Sequence, residues 1–114
     1  MLEETLIEYL ADELNIPVYA EVPKDAPEKF LIVERTSGGH EDKVDTATIV
    51  VQSYAGSLYD AASLNEDVKG AMLYEMDLPS IPACHLNSDY NFTDTATKRY
   101  RYQAVFNITY YTGG

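Results

Sequence analysis

Apolar positions in the first 14 residues recur at the spacing of an α-helix, and acidic residues fill the other faces. The apolar positions are Leu2, Leu6, Tyr9, Leu10 and Leu14. Glu3 and Glu4 would lie in the first turn, where negative charge complements the helix dipole. Pro17 disfavours helical geometry at Ile16. The pattern therefore predicts one amphipathic helix that ends before Pro17.

The following apolar runs predict two strands separated by an exposed turn. Val18 to Val22 forms a short run, and Phe30 to Thr36 contains several branched apolar residues in succession. Pro23 and Pro27 bracket the segment between them and cannot continue a strand ladder. Ser37–Gly39 is expected to break the second strand because glycines interrupt strand patterns.

A hairpin tip and a long third strand are expected next. The polar stretch His40–Lys43 predicts a solvated tip. From Val44 to Ala55 the residues alternate with the period of a strand. One predicted face carries Ala47, Ile49 and Val51, and the other carries Thr46, Thr48, Val50 and Gln52. A threonine-lined face is common on sheets that stay wet or that meet a partner.

The second half of the chain predicts one more helix and a final pair of strands. Gly56 ends the third strand, and Ser57 is a favourable N-cap with Asp60 following three residues later. The predicted apolar stripe of this helix consists of Leu58, Ala61, Leu64, Val68, Ala71, Met72 and Met76. Residues 83–92 and 99–111 predict antiparallel strands joined by a polar turn.

The resulting order, α-β-β-β-α-β-β, predicts an α+β fold. Its sheet is expected to be mainly antiparallel, with both helices packed on one face. The length fits a single domain over residues 1–112. Residues 113–114 are two glycines and are expected to form a flexible tail.

The composition limits the classes of function. The chain has a formal net charge of −11, so conventional binding to phosphate backbones is disfavoured. The same acidity keeps a small protein soluble. A single cysteine excludes an internal disulfide, and the acidic opening segment differs from a signal peptide, so we expect a cytosol-like compartment. No apolar run approaches the ~20 residues that span a membrane, and no membrane contact is expected. The abundant tyrosines fit either an interface or a β-rich fold.

Residues with catalytic or metal-binding chemistry do not gather in the predicted fold. Cys84 and His85 are adjacent on a predicted strand, so their side chains would point to opposite faces. The polar run from His40 to Asp45 contains possible cation ligands, but its spacing matches no calcium-binding loop. We therefore expect no catalytic centre, no metal and no cofactor.

A short basic cluster stands out against the acidic background. Lys98, Arg99 and Arg101 place three of the eight bases within four residues. Strand alternation puts Arg99 and Arg101 on one face. Two interpretations remain: these residues contact acids of a neighbouring copy in a head-to-tail, ring-forming interface, or they are solvated strand charges.

Several segments, taken in order, resemble the small tail terminator, or tail-completion, proteins of long-tailed bacteriophages. They are the amphipathic opening helix, PVYAEVPKDAPEKFLIVERTSGG, VDTATIVVQSYA with the Ala-rich helix after it, and SDYNFTDTATKRYRYQAVFNITY. Together they cover nearly the whole chain. The segments Val33–Gly39 and Tyr90–Phe92 contribute most to the resemblance.

The resemblance implies a non-enzymatic assembly protein of the virion, present in the host cytoplasm during assembly. Such proteins form a ring, typically a hexamer, on the last ring of the tail tube. They stop tube polymerisation and present a surface to the head connector. DNA passes through the lumen without specific binding, and we hypothesise that an acidic lumen helps it slide. The candidate interface residues are Gly38, Gly39, His40, Glu41, Asp42, Lys43, Asp45, Arg99 and Arg101.

Two alternatives remain open. One is a neighbouring neck protein, such as a head–tail connector adaptor, which differs in the proteins that it touches. The other is a small-ligand-binding or enzymatic α+β domain, for which a concave pocket with converging polar groups would be expected.

Overall fold

A computed structural model describes residues 1–41 and 44–111 of the chain. Within these residues the elements follow the predicted order, with five strands and two α-helices, and the α+β prediction is confirmed. They are α1 (Leu2–Leu14), β1 (Val18–Tyr19), β2 (Phe30–Glu41), β3 (Val44–Tyr54), α2 (Leu58–Gly70), a π-helical turn (Ala71–Glu75), β4 (Ala83–Asn91) and β5 (Arg101–Tyr111). The predicted tail at residues 113–114 lies outside the described residues.

The strands form one sheet in the order β1-β2-β3-β5-β4. β2, β3, β5 and β4 pair antiparallel, whereas β1 pairs parallel with β2. β1 contains only two residues and is shorter than the predicted run Val18–Val22. The chain has left the sheet before Pro23, which has no N–H to continue the ladder.

Both helices cover the same face of the sheet, as predicted. Leu6 and Leu10 of α1 and Leu64 and Val68 of α2 pack in one core with the inward residues of the long strands. The core residues from the sheet include Leu31, Val33, Ala47, Ile49, Val51, Ala104, Phe106 and Ile108. The alternation predicted for β3 is therefore confirmed, because Ala47, Ile49 and Val51 all lie in this core. The opposite face of the sheet is called the open face below.

The predicted helix ends agree with the local structure. Ser57 is the N-cap of α2, and its hydroxyl accepts a hydrogen bond from the Asp60 backbone N–H at 3.1 Å. Asn15 follows α1 in the left-handed conformation, with φ 54°. Leu58, which was predicted to lie on the apolar stripe of α2, is exposed.

One part of the strand prediction is wrong. Ser37–Gly39 does not break β2, which continues to Glu41. Gly38 pairs with Ala47 and Gly39 pairs with Thr46, so both glycines are ladder residues. The chain absorbs the irregularity in a β-bulge between Arg35 and Ser37 instead of leaving the sheet.

Candidate interface surfaces

The far end of the β2–β3 hairpin holds most of the predicted interface residues. Gly38, Gly39 and His40 are exposed, whereas Asp45 is only 8% exposed. His40 and Asp45 are cross-strand partners, and their side chains pair through Nδ1 and Oδ1. The segment is therefore a pair of strands and not the loop expected from the sequence.

Three of the predicted residues at this end are described incompletely or not at all. The backbone of Glu41 pairs with Val44 in the ladder. Asp42 and Lys43 lie outside the described residues. Within residues 1–41 and 44–111, no three His, Cys, Asp or Glu side chains gather in a group that suits a metal ion.

The two glycines lie close to the backbone and side chain of Thr46. A Cβ at Gly38 would lie 3.3 Å from the Thr46 carbonyl oxygen. A Cβ at Gly39 would lie 3.1 Å from Thr46 Oγ1. Both distances are shorter than ordinary van der Waals contacts, so a larger residue at either position requires Thr46 to shift.

Arg101 lies at the opposite end of the open face and is bound within the fold. Its Nη1 donates to the Tyr54 hydroxyl at 2.7 Å, and its Nε donates to the Phe92 carbonyl oxygen at 2.7 Å. The guanidinium also lies over the Phe92 ring, 4.4 Å from its centroid. Arg101 thus connects β5 to the end of β3 and to the residue that follows β4.

A row of hydrogen bonds crosses the sheet beside Arg101. Tyr54 donates from its hydroxyl to Gln52 Oε1 at 3.3 Å. Gln52 Nε2 donates to Gln103 Oε1 at 2.9 Å, and Gln103 Nε2 donates to the Tyr90 hydroxyl. Because every donor points the same way from Arg101, the Tyr90 hydroxyl proton at the far end remains available to a partner.

Aromatic rings form a second layer around this row. Phe30 and Tyr54 stack with ring centroids 4.5 Å apart and planes within 9° of each other. Tyr19 meets Phe30 edge-on at 5.9 Å. These rings belong to a second apolar cluster, separate from the core under the helices. This end of the open face therefore combines an aromatic cluster with a row of hydrogen-bonded polar side chains.

Arg99 has a different environment from Arg101, although the sequence grouped them. Its side chain is exposed, whereas that of Arg101 is half-buried, although both guanidinium groups lie 5.6 Å from the Tyr54 ring centroid. Arg99 and Lys98 line a shallow cleft of about 250 Å³ against the β1–β2 loop. The two bases present positive charge at the surface of this end.

A third polar cluster joins α1 to the sheet. Its residues were not predicted from the sequence to contact one another. Arg35 Nη2 contacts Glu3 Oε1 at 2.6 Å, and Arg35 Nη1 donates to the Tyr110 hydroxyl at 3.0 Å. The hydrogen bond from Arg35 lowers the pKa of the Glu3 carboxyl. A depression of about 540 Å³ lies beside this cluster and is lined in part by Met1 and Thr5.

Charge is distributed unevenly over the molecule. The elements that cover the sheet carry Glu3, Glu4, Glu8, Asp12, Glu13, Asp60, Glu66, Asp67 and Glu75 against Lys69 as their single base. Lys69 is held by Glu66 at 2.8 Å and by Asp89 at 2.9 Å. The outer surface of the helix layer is therefore acidic, whereas the Lys98–Arg101 turn is basic.

The cysteine and its neighbouring histidine lie apart, as expected from strand alternation. Cys84 packs against the core under the helices, whereas His85 is exposed and lines a shallow depression that includes open-face residues Thr46, Thr48 and Asn107. Burial raises the pKa of the Cys84 thiol to about 11. The thiol therefore stays protonated near neutral pH and is a poor nucleophile.

No helix within the described residues is both long enough and apolar enough to cross a membrane. Comparison of the sequence with protein-family models and with curated proteins found no match.

Proposed function

We propose that this chain is a structural assembly protein of a long-tailed phage or a phage-derived particle. In this proposal it caps the completed tail tube as a ring and acts through protein contacts alone, without catalysing a reaction.

 The ring stops tube polymerisation and presents a docking surface to the head connector. The chain would then be part of the virion, at the head–tail junction, after a period in the host cytoplasm.

The observation that carries this proposal is the separation of charge between the two surfaces. The helix layer is acidic, and the Lys98–Arg101 turn at one end of the sheet is basic. A contact between the turn of one copy and the helix layer of the next would be heterologous, and heterologous contacts generate rings when the rotation closes. Opposite charges at such a contact fix its register and speed association.

The division of roles between the two arginines supports Arg99 as the surface residue of this contact. Arg101 is held by Tyr54 and Phe92 within its own chain. Arg99 is exposed beside Lys98. A basic group that is already bound internally gains less from an acidic partner than one that is solvated, so we assign the intermolecular contact to Arg99 and Lys98.

The proposed passage of DNA requires a particular orientation of the subunit. The helix layer carries nine acidic residues against one base, whereas the open face carries few charges. An acidic lumen that repels DNA therefore requires the helix layer to line the channel. The same ring would contact the tube protein on one side and the connector on the other.

The test is a mass measurement in solution, with and without tail tubes of the same particle. We expect the chain to form a closed ring, a hexamer by resemblance, on the tube end. Arg99→Glu should weaken ring formation at least about tenfold, because it places like charges together. Lys24→Glu makes the same charge change in the β1–β2 loop and serves as the matched control. An unmodified chain that stays monomeric and binds no tube would defeat the proposal.

A further inference from the structure

Each side of the sheet has an open strand edge. β1 pairs with β2 only at Leu31 and Ile32, so the rest of β2 has no strand on its outer side within the described residues. On the other side of the sheet, β5 is the one strand that pairs with β4 in the described part of the chain. Each open edge presents unpaired backbone groups that can bond to another strand.

The outward-pointing groups on β2 follow from the hydrogen-bond pattern. Leu31 N–H bonds outward, to the Pro17 carbonyl oxygen at 3.0 Å. Strand residues alternate in the direction of their backbone groups, so the N–H and C=O groups of Arg35 also point away from β3. The bulge after Arg35 shifts the alternation by one residue. Beyond the bulge, the backbone groups of Gly38 and His40 point away from β3.

The same argument applies to β4. Phe92 N–H bonds inward, to the Arg101 carbonyl oxygen at 2.9 Å. The backbone N–H and C=O groups of Asp89 therefore point away from β5. A bulge between Leu86 and Ser88 again shifts the alternation, so the backbone N–H and C=O groups of Leu86 and Cys84 point away from β5.

The two edges match in direction and in shape. The four long strands β2, β3, β5 and β4 alternate in direction, so β4 of one copy beside β2 of the next continues the antiparallel order. The cross-strand row of Arg35, Ile49, Phe106 and Leu86 has the β2 bulge on one side and the β4 bulge on the other. Because a bulge bends its strand, both edges bend at the same level of the sheet.

Neither edge carries lysine or proline, two residue types that often prevent such pairing. Proteins protect open edges with lysine or proline within the strand. Residues 34–41 of β2 and 83–91 of β4 contain neither residue type. The β2 edge also has small residues from Thr36 to Gly39, which leave its backbone accessible to a neighbouring strand.

We propose that the open edge of β2 pairs antiparallel with the open edge of β4 from a second copy of this chain. The inference rests on the proposed self-assembly and specifies how neighbouring copies are joined. A sheet that continues from copy to copy buries the unpaired groups of both edges and closes when the ring closes. Its occupant is a second copy because the same chain supplies both matching edges.

The first test is residue-resolved amide hydrogen exchange on the chain before and after assembly. In the monomer, Arg35, Gly38 and His40 should exchange rapidly, whereas Glu34, which faces β3, should be protected. In the ring, the three outward amides should slow at least about tenfold while Glu34 changes little. An assembled ring in which these amides still exchange rapidly overturns the edge pairing and leaves the proposed function intact.

The second test uses a matched pair of substitutions at one position. Leu86→Pro removes an outward N–H from β4 together with the branched leucine side chain, and Leu86→Ala also removes the branched side chain but keeps that N–H. We expect both variants to fold as monomers, and only Leu86→Pro to lose ring formation. Assembly by Leu86→Pro at the level of Leu86→Ala contradicts the pairing. A wild-type chain that never assembles, with or without tubes, overturns both the pairing and the proposed function.

Discussion

Arg101 Nη1 donates to the Tyr54 hydroxyl at 2.7 Å, and the guanidinium groups of Arg99 and Arg101 both lie 5.6 Å from the centroid of the Tyr54 ring. The two arginines are two positions apart and both lie near the Tyr54 ring, yet Arg101 begins β5 whereas Arg99 precedes it. Arg101 closes a hydrogen-bond network, and Arg99 is exposed beside it. The basic cluster therefore contains one residue that stabilises the fold and one that is available to a partner.

The first prediction separates these two roles. Arg101→Ala should lower the free energy of unfolding by about 2 kcal/mol, because it removes two charge-assisted hydrogen bonds and the contact with Phe92. Arg99→Ala should change it by less than about 0.5 kcal/mol. Chemical denaturation measures both values, and equal effects would contradict the assignment.

The second prediction concerns the ion pair between α1 and the sheet. Glu3→Gln should lower the free energy of unfolding near neutral pH by about 1 kcal/mol, because it removes the charge that Arg35 contacts. Because Arg35 lowers the pKa of Glu3 below 4.5, the contribution is complete above pH 4.5 and is lost as the pH falls through the lower, folded-state pKa. Denaturation as a function of pH tests this, with the exposed Glu8→Gln as control. A difference that persists undiminished in acid would contradict the argument.

The third prediction concerns the contact between α1 and the π-helical turn. Tyr9 donates from its hydroxyl to the Ala71 carbonyl oxygen at 2.7 Å. Tyr9→Phe should therefore lower the free energy of unfolding by about 1 kcal/mol. Tyr59→Phe, at a side chain that is 81% exposed, should have almost no effect.

The same tyrosine predicts a change of stability in alkali. Burial, with added repulsion from Glu13 and Glu75, raises the pKa of Tyr9 from 10.0 to about 12. The fold thus favours the neutral phenol, and its contribution is present below pH 10 and lost as the pH rises towards 12. The stability advantage of the wild type over Tyr9→Phe should shrink over this range, and an advantage that stays constant would contradict the assignment.

The fourth prediction tests the proposed acidic channel. If the helix layer lines the lumen, converting Glu4 and Glu8 to glutamine should slow DNA ejection from complete particles, because DNA is repelled less. Glu21→Gln with Asp25→Asn makes an equal change of charge in the β1–β2 loop and should leave ejection unchanged. Unchanged ejection in the helix variant would exclude this orientation of the subunit.

The sequence predicted the fold well where a pattern repeats over many residues. The helical spacing of Leu2, Leu6 and Leu10 and the alternation in β3 each report one buried face, so both elements were found. The N-cap at Ser57 was found because its chemistry is local.

The errors come from contacts that no local pattern reports. The two glycines favoured a break after Thr36, but β3 supplies partners for the whole of β2 and the bulge absorbs the irregularity. Arg35 alternates with Leu31 and Val33, and a charge at an inward position signals that a partner must be present. That partner, Glu3, is distant in the sequence and was not predicted.

We propose that this chain ends the growth of a tail tube. The most direct measurement is the length of tubes, seen by electron microscopy, when the purified chain is added during polymerisation of the tube protein. We predict that growth stops with one ring at the tube end, at amounts of chain far below the amount of tube protein. Tubes that grow to the same lengths with and without the chain, and carry no ring at their ends, would contradict the proposed function.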